Sequence, residues 1–158
     1  MNQPLNASRP KQMREYDVPT SIEHLLPWDL VEARIVNAKN YWLTTVGKNC
    51  QPHSTPVWGV RTNSSLVFSC ARTSRKARDL RSNKEMGVYL EDGTEAVIIE
   101  GTGEEVEDKD QFNNLKGEYI KKYAMGFPDD SPLWKIRPSI VFAWKEFPKT
   151  CTRYDFGF

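Results

Sequence analysis

The amino-acid sequence predicts an α+β domain, a small and mainly antiparallel β-barrel of six strands with three helices packed around it. Three observations carry that expectation. Six apolar, strand-like runs succeed one another, most of them across short turns, whereas parallel neighbours would need crossover segments. Three further stretches show helical periodicity or helix-start signals. No G-x-G-x-x-G run is present, which argues against a doubly wound dinucleotide fold. At 158 residues the chain is sized for one domain.

Residues 1–20 hold three prolines and few large apolar side chains, so they read as a loose arm, or one that docks on a partner subunit, ahead of a domain spanning 21–158. Ser21 suits a first-turn cap, and Pro27 suits the first position of the helix "PWDLVEARIVNAK". Trp28, Val31, Ile35 and Ala38 then fall on one stripe. "NYWLTTVG" and "PHSTPVWGVRT" read as strands joined by the turn "KNCQ", and "NSS" turns the chain into a third strand, "LVFSCA". A basic helix follows. "MGVYLE" and "EAVIIEGTGEEVE" are two more strands around "EDGT". "KDQFNNLKGEYIKKY" is an amphipathic helix with Phe112, Leu115, Tyr119 and Tyr123 on one side, started by Asp108 and Asp110. After the loop "GFPDDSP", the strand "SIVFAWKEF" alternates Ile140, Phe142 and Trp144 on one face.

Charge narrows the function. The formal net charge is +1, yet residues 71–84 carry six basic side chains and one acid, while residues 91–110 carry nine acids and one base. A local basic site in a nearly neutral chain suits a small anionic ligand rather than nucleic acid, which rewards an extended basic surface. The polar N-terminus has no apolar core and no run approaches the ~20 apolar residues of a membrane span, so a cytoplasmic, non-membrane protein is expected. Cys50, Cys70 and Cys151 are odd in number and lack metal-ligand spacing, and His24 and His53 do not complete a site; no metal is expected. His53 has no orienting carboxylate, so it is read as a strand-end polar residue rather than a catalytic base.

The sharpest feature is "ARTSRKARDLRSNK", residues 71–84. Ser74 is placed to cap the helix, leaving backbone N–H groups at its end. Arg75 and Lys76 sit in the first turn, where the helix dipole disfavours cations unless an anion lies among them. A phosphate monoester, with about −1.5 to −2 charges and three acceptor oxygens, satisfies all of these groups. Arg78, Arg81 and Lys84 read as a solvated face.

Together, "YWLTTVGKNCQPHSTPVWGV", "LVFSCARTSRKARDLRSNKEMGVYLED" and "AVIIEGTGEEV" resemble the split-barrel flavoproteins related to pyridoxamine 5′-phosphate oxidase, over about residues 27–147. The resemblance implies a split β-barrel that binds FMN, with Ser74, Arg75 and Lys76 as phosphate contacts. Ser69 and Cys70 fall where the family places a Tyr-Thr pair, and Val57, Trp58 and Gly59 fall on the strand that runs beside the flavin ring. A mid-strand glycine often marks close approach by a ligand or another backbone, which suits Gly59; the alternative for Trp58 is an ordinary core aromatic. Trp144 and Arg153 match the family's C-terminal tryptophan and the start of its R-L-H-D-R cluster, but the histidine and second arginine of that cluster are missing, so the implied substrate is a small molecule other than pyridoxamine phosphate. The family arrangement further implies a homodimer with flavin at the interface. A deazaflavin coenzyme on the same barrel, which Arg72, Arg78 and Arg81 favour, and a non-catalytic flavin- or haem-binding module are the alternatives. Haem would take His53 or His24 as its axial histidine.

Overall fold

The computed structural model describes residues 1–62 and 65–157; the "NSS" turn lies largely outside them. The first strand, β1 (Asn6–Ser8), and a short 3-10 helix (Lys11–Tyr16) precede α1 (Trp28–Asn37). Then come β2 (Tyr41–Val46), β3 (Pro52–Val57), β4 (Gly59–Arg61), β5 (Leu66–Ser69) and α2 (Arg75–Ser82). The chain finishes with β6 (Glu85–Tyr89), β7 (Val97–Glu105), α3 (Lys109–Tyr123), β8 (Leu133–Ala143) and β9 (Thr152–Asp155). Among the described residues the class is α+β, with three α-helices and one large antiparallel sheet, but the strand count is nine rather than six. Two extra strands, β1 and β9, come from the chain ends, and the predicted strand "PHSTPVWGVRT" is broken at Trp58 into β3 and β4.

That break organises the molecule. Hydrogen bonding runs β1-β9-β8-β7-β6-β2-β3, while β4 pairs with β5, and β5 with β8. The long strand β8 therefore serves β5 along its first half (Leu133 to Ile136) and β9 along its second (Ile140 to Ala143). β3 is bonded to β2 and β4 to β5, so the backbone ladder is interrupted at Trp58. A bulge places Ser139 of β8 opposite no residue of β7, between the pairs Glu100–Ile140 and Gly101–Pro138. Gly101 is required there, because a Cβ would lie 2.1 Å from the Arg137 carbonyl oxygen.

Alternation along the strands fills the interior. Tyr41, Leu43, Leu66, Phe68, Val88, Ile99, Ile136 and Val141 are almost fully buried in the main core, joined by Trp28, Val31 and Ile35 of α1 and by Ala77 and Leu80 of α2. The α1 stripe lies where the periodicity places it, with Ala38 packed against its edge. A second cluster, Val60, Val67, Leu115, Tyr119, Phe127 and Leu133, forms where α3 lies over the opposite face of β4, β5 and β8. Ile140 and Phe142 share a face as expected, but it is the half-buried outer one; Val141 and Ala143 point inward.

The N-terminal segment, read from sequence as a loose arm, is tied to this sheet. β1 pairs with β9, Met1 is buried in the main core, and the Arg9 guanidinium donates to the carbonyls of Ser21, Glu23, Lys149 and Cys151. Prolines and polar residues conceal this because the anchorage is mostly backbone hydrogen bonding and one arginine. Ser21 caps no helix; α1 starts after Pro27, which is its N-cap.

Candidate functional site

β5 delivers the chain to the start of α2, as its apolar run and the following Thr-Ser pair dictate. Ser74 has the extended backbone of an N-cap, and its hydroxyl accepts from the Ala77 N–H at 3.4 Å. Beside this helix end lies a cleft of roughly 450 Å³, lined by Asn40, Pro56, Val57, Trp58, Ser69, Cys70, Lys76, Tyr119 and the loop residues Gly126, Phe127 and Pro128. Among the described residues that line it, Lys76 is the single charged side chain. The cleft thus combines apolar side chains, a few hydroxyl and amide groups and one cation, a composition common in small-molecule sites.

Five residues singled out from sequence meet here: Val57, Trp58, Ser69, Cys70 and Lys76. Trp58 is 40% exposed and stacks on Tyr123 at 4.6 Å between centroids and 3° between planes, so it is no ordinary core aromatic. The Cys70 thiol is pushed up from its usual pKa by burial, partly offset by the Ser74 hydroxyl and by the charges of Lys76 and Arg81. It stays a neutral, weak donor. Ser74 touches that thiol while capping the helix.

The other predicted residues are placed differently. The Arg75 side chain turns back along its own helix: Nε lies 3.6 Å from the buried Asp79 carboxylate, and Nη2 donates to the Gln51 carbonyl at 3.5 Å. Asp79 also accepts from the Thr45 hydroxyl at 3.0 Å. Gly59 faces the core, where a Cβ would stand 3.1 Å from the Val67 carbonyl oxygen and 3.2 Å from the Tyr41 ring; its close neighbour is another backbone. Trp144 packs edge-on against Phe147 at 5.7 Å, and Arg153 pairs with Asp155 at 2.9 Å. Both lie at the end of β8 remote from Ser69, since Ser69 pairs with Leu133 and Arg153 with Phe142. Arg78 and Arg81 line a separate shallow hollow with Lys48, and Arg81 donates to the Arg72 carbonyl. Neither histidine lines the cleft: His53 stands opposite Thr45 on β3, and His24 is exposed.

Sequence reasoning missed the contribution of α3. At the break in the sheet, the Tyr119 hydroxyl donates to the Trp58 carbonyl at 2.8 Å and accepts from the Ser69 N–H at 2.9 Å. The Tyr123 hydroxyl accepts from the Gly59 N–H at 2.9 Å. Lys122 donates to the Gly59 carbonyl at 3.0 Å and to the Tyr41 hydroxyl at 2.9 Å. Burial pushes the Lys122 ammonium down to about 8 and raises the phenols of Tyr119 and Tyr123 above the usual tyrosine range. The available signal was a pair of hydroxyl-bearing aromatics one turn apart, on a face that aliphatic residues would otherwise fill.

An antiparallel sheet that divides along β8 and, over the described strands, does not close into a barrel, with a cleft beside a serine-capped basic helix, defines a small α+β domain. The family model for pyridoxamine 5′-phosphate oxidase matches residues 28–145, and the chain belongs to that family. No curated protein matches it. Among solved structures, it is similar to the haem storage protein HutZ of Vibrio cholerae, with TM-score 0.64 and 17% identity over 75% of this chain and 94% of that one. A putative pyridoxamine 5′-phosphate oxidase from Listeria innocua gives TM-score 0.65 and 17% identity over 75% and 98% of the two chains. A putative 5-nitroimidazole antibiotic resistance protein from Bacteroides thetaiotaomicron gives 0.65 and 13% over 82% and 85%. At these identities the likeness is one of fold.

Proposed function

We propose that the chain is an FMN-binding oxidoreductase acting on a small molecule other than pyridoxamine phosphate. The observation that carries this reading is that Lys76, from the first turn of the serine-capped helix α2, and Ser69 line the same cleft as Trp58, Pro56, Val57 and Phe127. Membership of the family supports it. Lys76 and the Ser69 hydroxyl would hold the phosphate together with the first-turn N–H groups of α2, which a helix leaves without internal partners. The apolar wall would cover the ring and keep water from it. When bound, the flavin itself supplies the two-electron chemistry, so the absence of a general acid–base pair among the cleft residues is no obstacle. Arg75 joins the phosphate contacts only by leaving Asp79.

A homodimer is part of the same proposal. In one chain Trp144 and Arg153 stand away from the cleft, so they would serve it only from a second copy. One row of side chains crosses the outer face of five strands: Pro56, Trp42, Tyr89, Ile98 and Phe142, in direct register. Pro56 belongs both to this row and to the cleft, which would bring a partner packed on the row to the edge of the ligand.

The test is the absorbance of the protein as purified, followed by titration with FMN and riboflavin. A yellow protein that releases FMN on denaturation, or one that takes up added FMN in preference to riboflavin, is expected. A colourless protein indifferent to added FMN defeats the proposal, and preference for a deazaflavin coenzyme reassigns the cofactor. The likeness to a haem storage protein supports a second reading, a haem-binding module, and that reading predicts a Soret band on adding haem. Its difficulty is that neither histidine borders the cleft.

A further inference from the structure

We infer that the Tyr119 hydroxyl is a wedge that keeps the sheet unzipped between Trp58 and Ser69, and that the cleft exists because of it. The register of β4 and β5 fixes where their ladder would continue. Gly59 pairs with Phe68, Val60 with Val67 and Arg61 with Leu66. One step beyond, the Thr62 N–H donates to the Ser65 carbonyl at 2.7 Å, which marks that pair as a hydrogen-bonded one. Hydrogen-bonded and non-bonded pairs alternate in antiparallel ladders, so Val60–Val67 and then Trp58–Ser69 are the next bonding positions. Continued regularly, the ladder would join the Ser69 N–H to the Trp58 carbonyl. The Tyr119 hydroxyl sits between those two groups, accepting from one at 2.9 Å and donating to the other at 2.8 Å.

Two hydrogen bonds in series hold their outer atoms roughly 5 Å apart, against about 2.9 Å for a direct N–H···O bond. The strands on either side are fixed. Ser69 is paired with Leu133 of β8, and Val57, just before Trp58, is paired with Tyr41 of β2. Separation of the two edges therefore opens a gap between them, and Trp58, Ser69 and Tyr119 all line the cleft found there. The wedge is itself well anchored. Tyr119 is 3% exposed, its ring meets Phe127 edge-on at 4.8 Å, and Leu115 and Phe127 share its cluster. Burial holds its phenol far above neutral pH, so the hydroxyl keeps the proton it donates. Tyr119 is thus a positioning residue. Its consequence for ligands rests on the flavin reading, whereas the wedge stands on backbone geometry alone.

Tyr119→Phe keeps the ring and removes the hydroxyl, leaving the Trp58 carbonyl and the Ser69 N–H to find each other. The expected result is a through-hydrogen-bond NMR coupling between Ser69 nitrogen and Trp58 carbonyl carbon that is absent in the wild type. Affinity for FMN and for riboflavin should fall together, by about tenfold or more, because the zipped edges close the gap that both ligands would enter. A variant without the coupling, or one that zips yet binds both ligands as the wild type does, overturns the inference. If the variant does not fold, the wild type decides: a Tyr119 O–H/O–D isotope shift on the Ser69 amide nitrogen supports the wedge, and a direct Ser69–Trp58 coupling overturns it. If the wild type binds no flavin, the flavin reading has failed and the wedge is judged on the couplings alone.

Discussion

Two cations adjoin in the first turn of α2, and the fold uses them differently. Lys76 lines the cleft, while Arg75 is engaged by Asp79 and the Gln51 carbonyl. A phosphate would have to draw Arg75 away from a buried carboxylate, which offsets much of what that arginine contributes. Lys76→Ala is therefore expected to weaken FMN by about 1.5–3 kcal/mol, the scale of a charge-assisted hydrogen bond, and riboflavin hardly at all. Arg75→Ala should cost FMN clearly less. Isothermal titration of both ligands against both variants checks the order; equal losses for FMN and riboflavin in Lys76→Ala would make the lysine structural. The basic run was legible because a capped helix with cations at its wrong end is a local pattern. The Arg75–Asp79 pair is itself an i,i+4 contact, but the Thr45 hydroxyl on Asp79 and the Gln51 carbonyl on Arg75 come from segments distant in sequence, so the engagement of Arg75 as a whole was not.

At the level of elements, α3 is the part of the fold whose role was least legible. Its period and its Asp108 start are plain in sequence, and the Asp108 carboxylate accepts from the N–H groups of Asp110 and Gln111 as expected. Nothing local says that its tyrosines and a lysine meet an interrupted ladder, because those contacts join α3 to Trp58, Gly59 and Ser69, at least 50 positions earlier in the chain. Lys122 gives this a pH signature. Its ammonium is held near 8 in the folded chain against an ordinary lysine value of 10.5, with burial as the cause. Between those values the unfolded chain binds more protons, so this group makes stability rise with pH from about 8 towards 10. The raised phenols of Tyr119 and Tyr123 act oppositely above about 10, where only the unfolded chain would ionise. Wild-type melting temperature relative to that of Lys122→Met should accordingly climb across pH 8 to 10; a flat difference would show that the carbonyls and rings around Lys122 hold its charge at no cost. Gly117 offers an independent lever. It lies inside α3, and a Cβ there meets nothing within 4 Å. Gly117→Ala should stabilise by about 0.5–1 kcal/mol and raise the melting temperature by a few degrees, measured by calorimetry.

For the whole molecule, strand number and closure were the readings that needed correction. Six runs were visible in sequence, but β1 and β9 are short and polar, and their pairing joins the two ends of the chain, a long-range contact that no window of residues reveals. What alternation did reveal on "SIVFAWKEF" was a face, and the fold makes it the outer one. Phe142 continues through Ile98, Tyr89 and Trp42 to Pro56, an apolar row on a surface that water would otherwise cover, with Trp42 41% exposed. A stable dimer interface takes about 800 Å² from each partner, and a row spanning five strands at ~4.8 Å spacing, with the residues beside it, is wide enough to supply it. Sedimentation of the wild type should give a dimer. Trp42→Glu places a charge within the row without touching the core, so circular dichroism should be preserved while the dimer dissociates. Because Pro56 stands in both the row and the cleft, FMN affinity should fall in that variant although no residue of the phosphate side has changed. A wild type that sediments as a monomer at every concentration would leave Trp144 and Arg153 without a part in the site, and a Trp42→Glu dimer with unaltered ligand binding would place the second copy elsewhere.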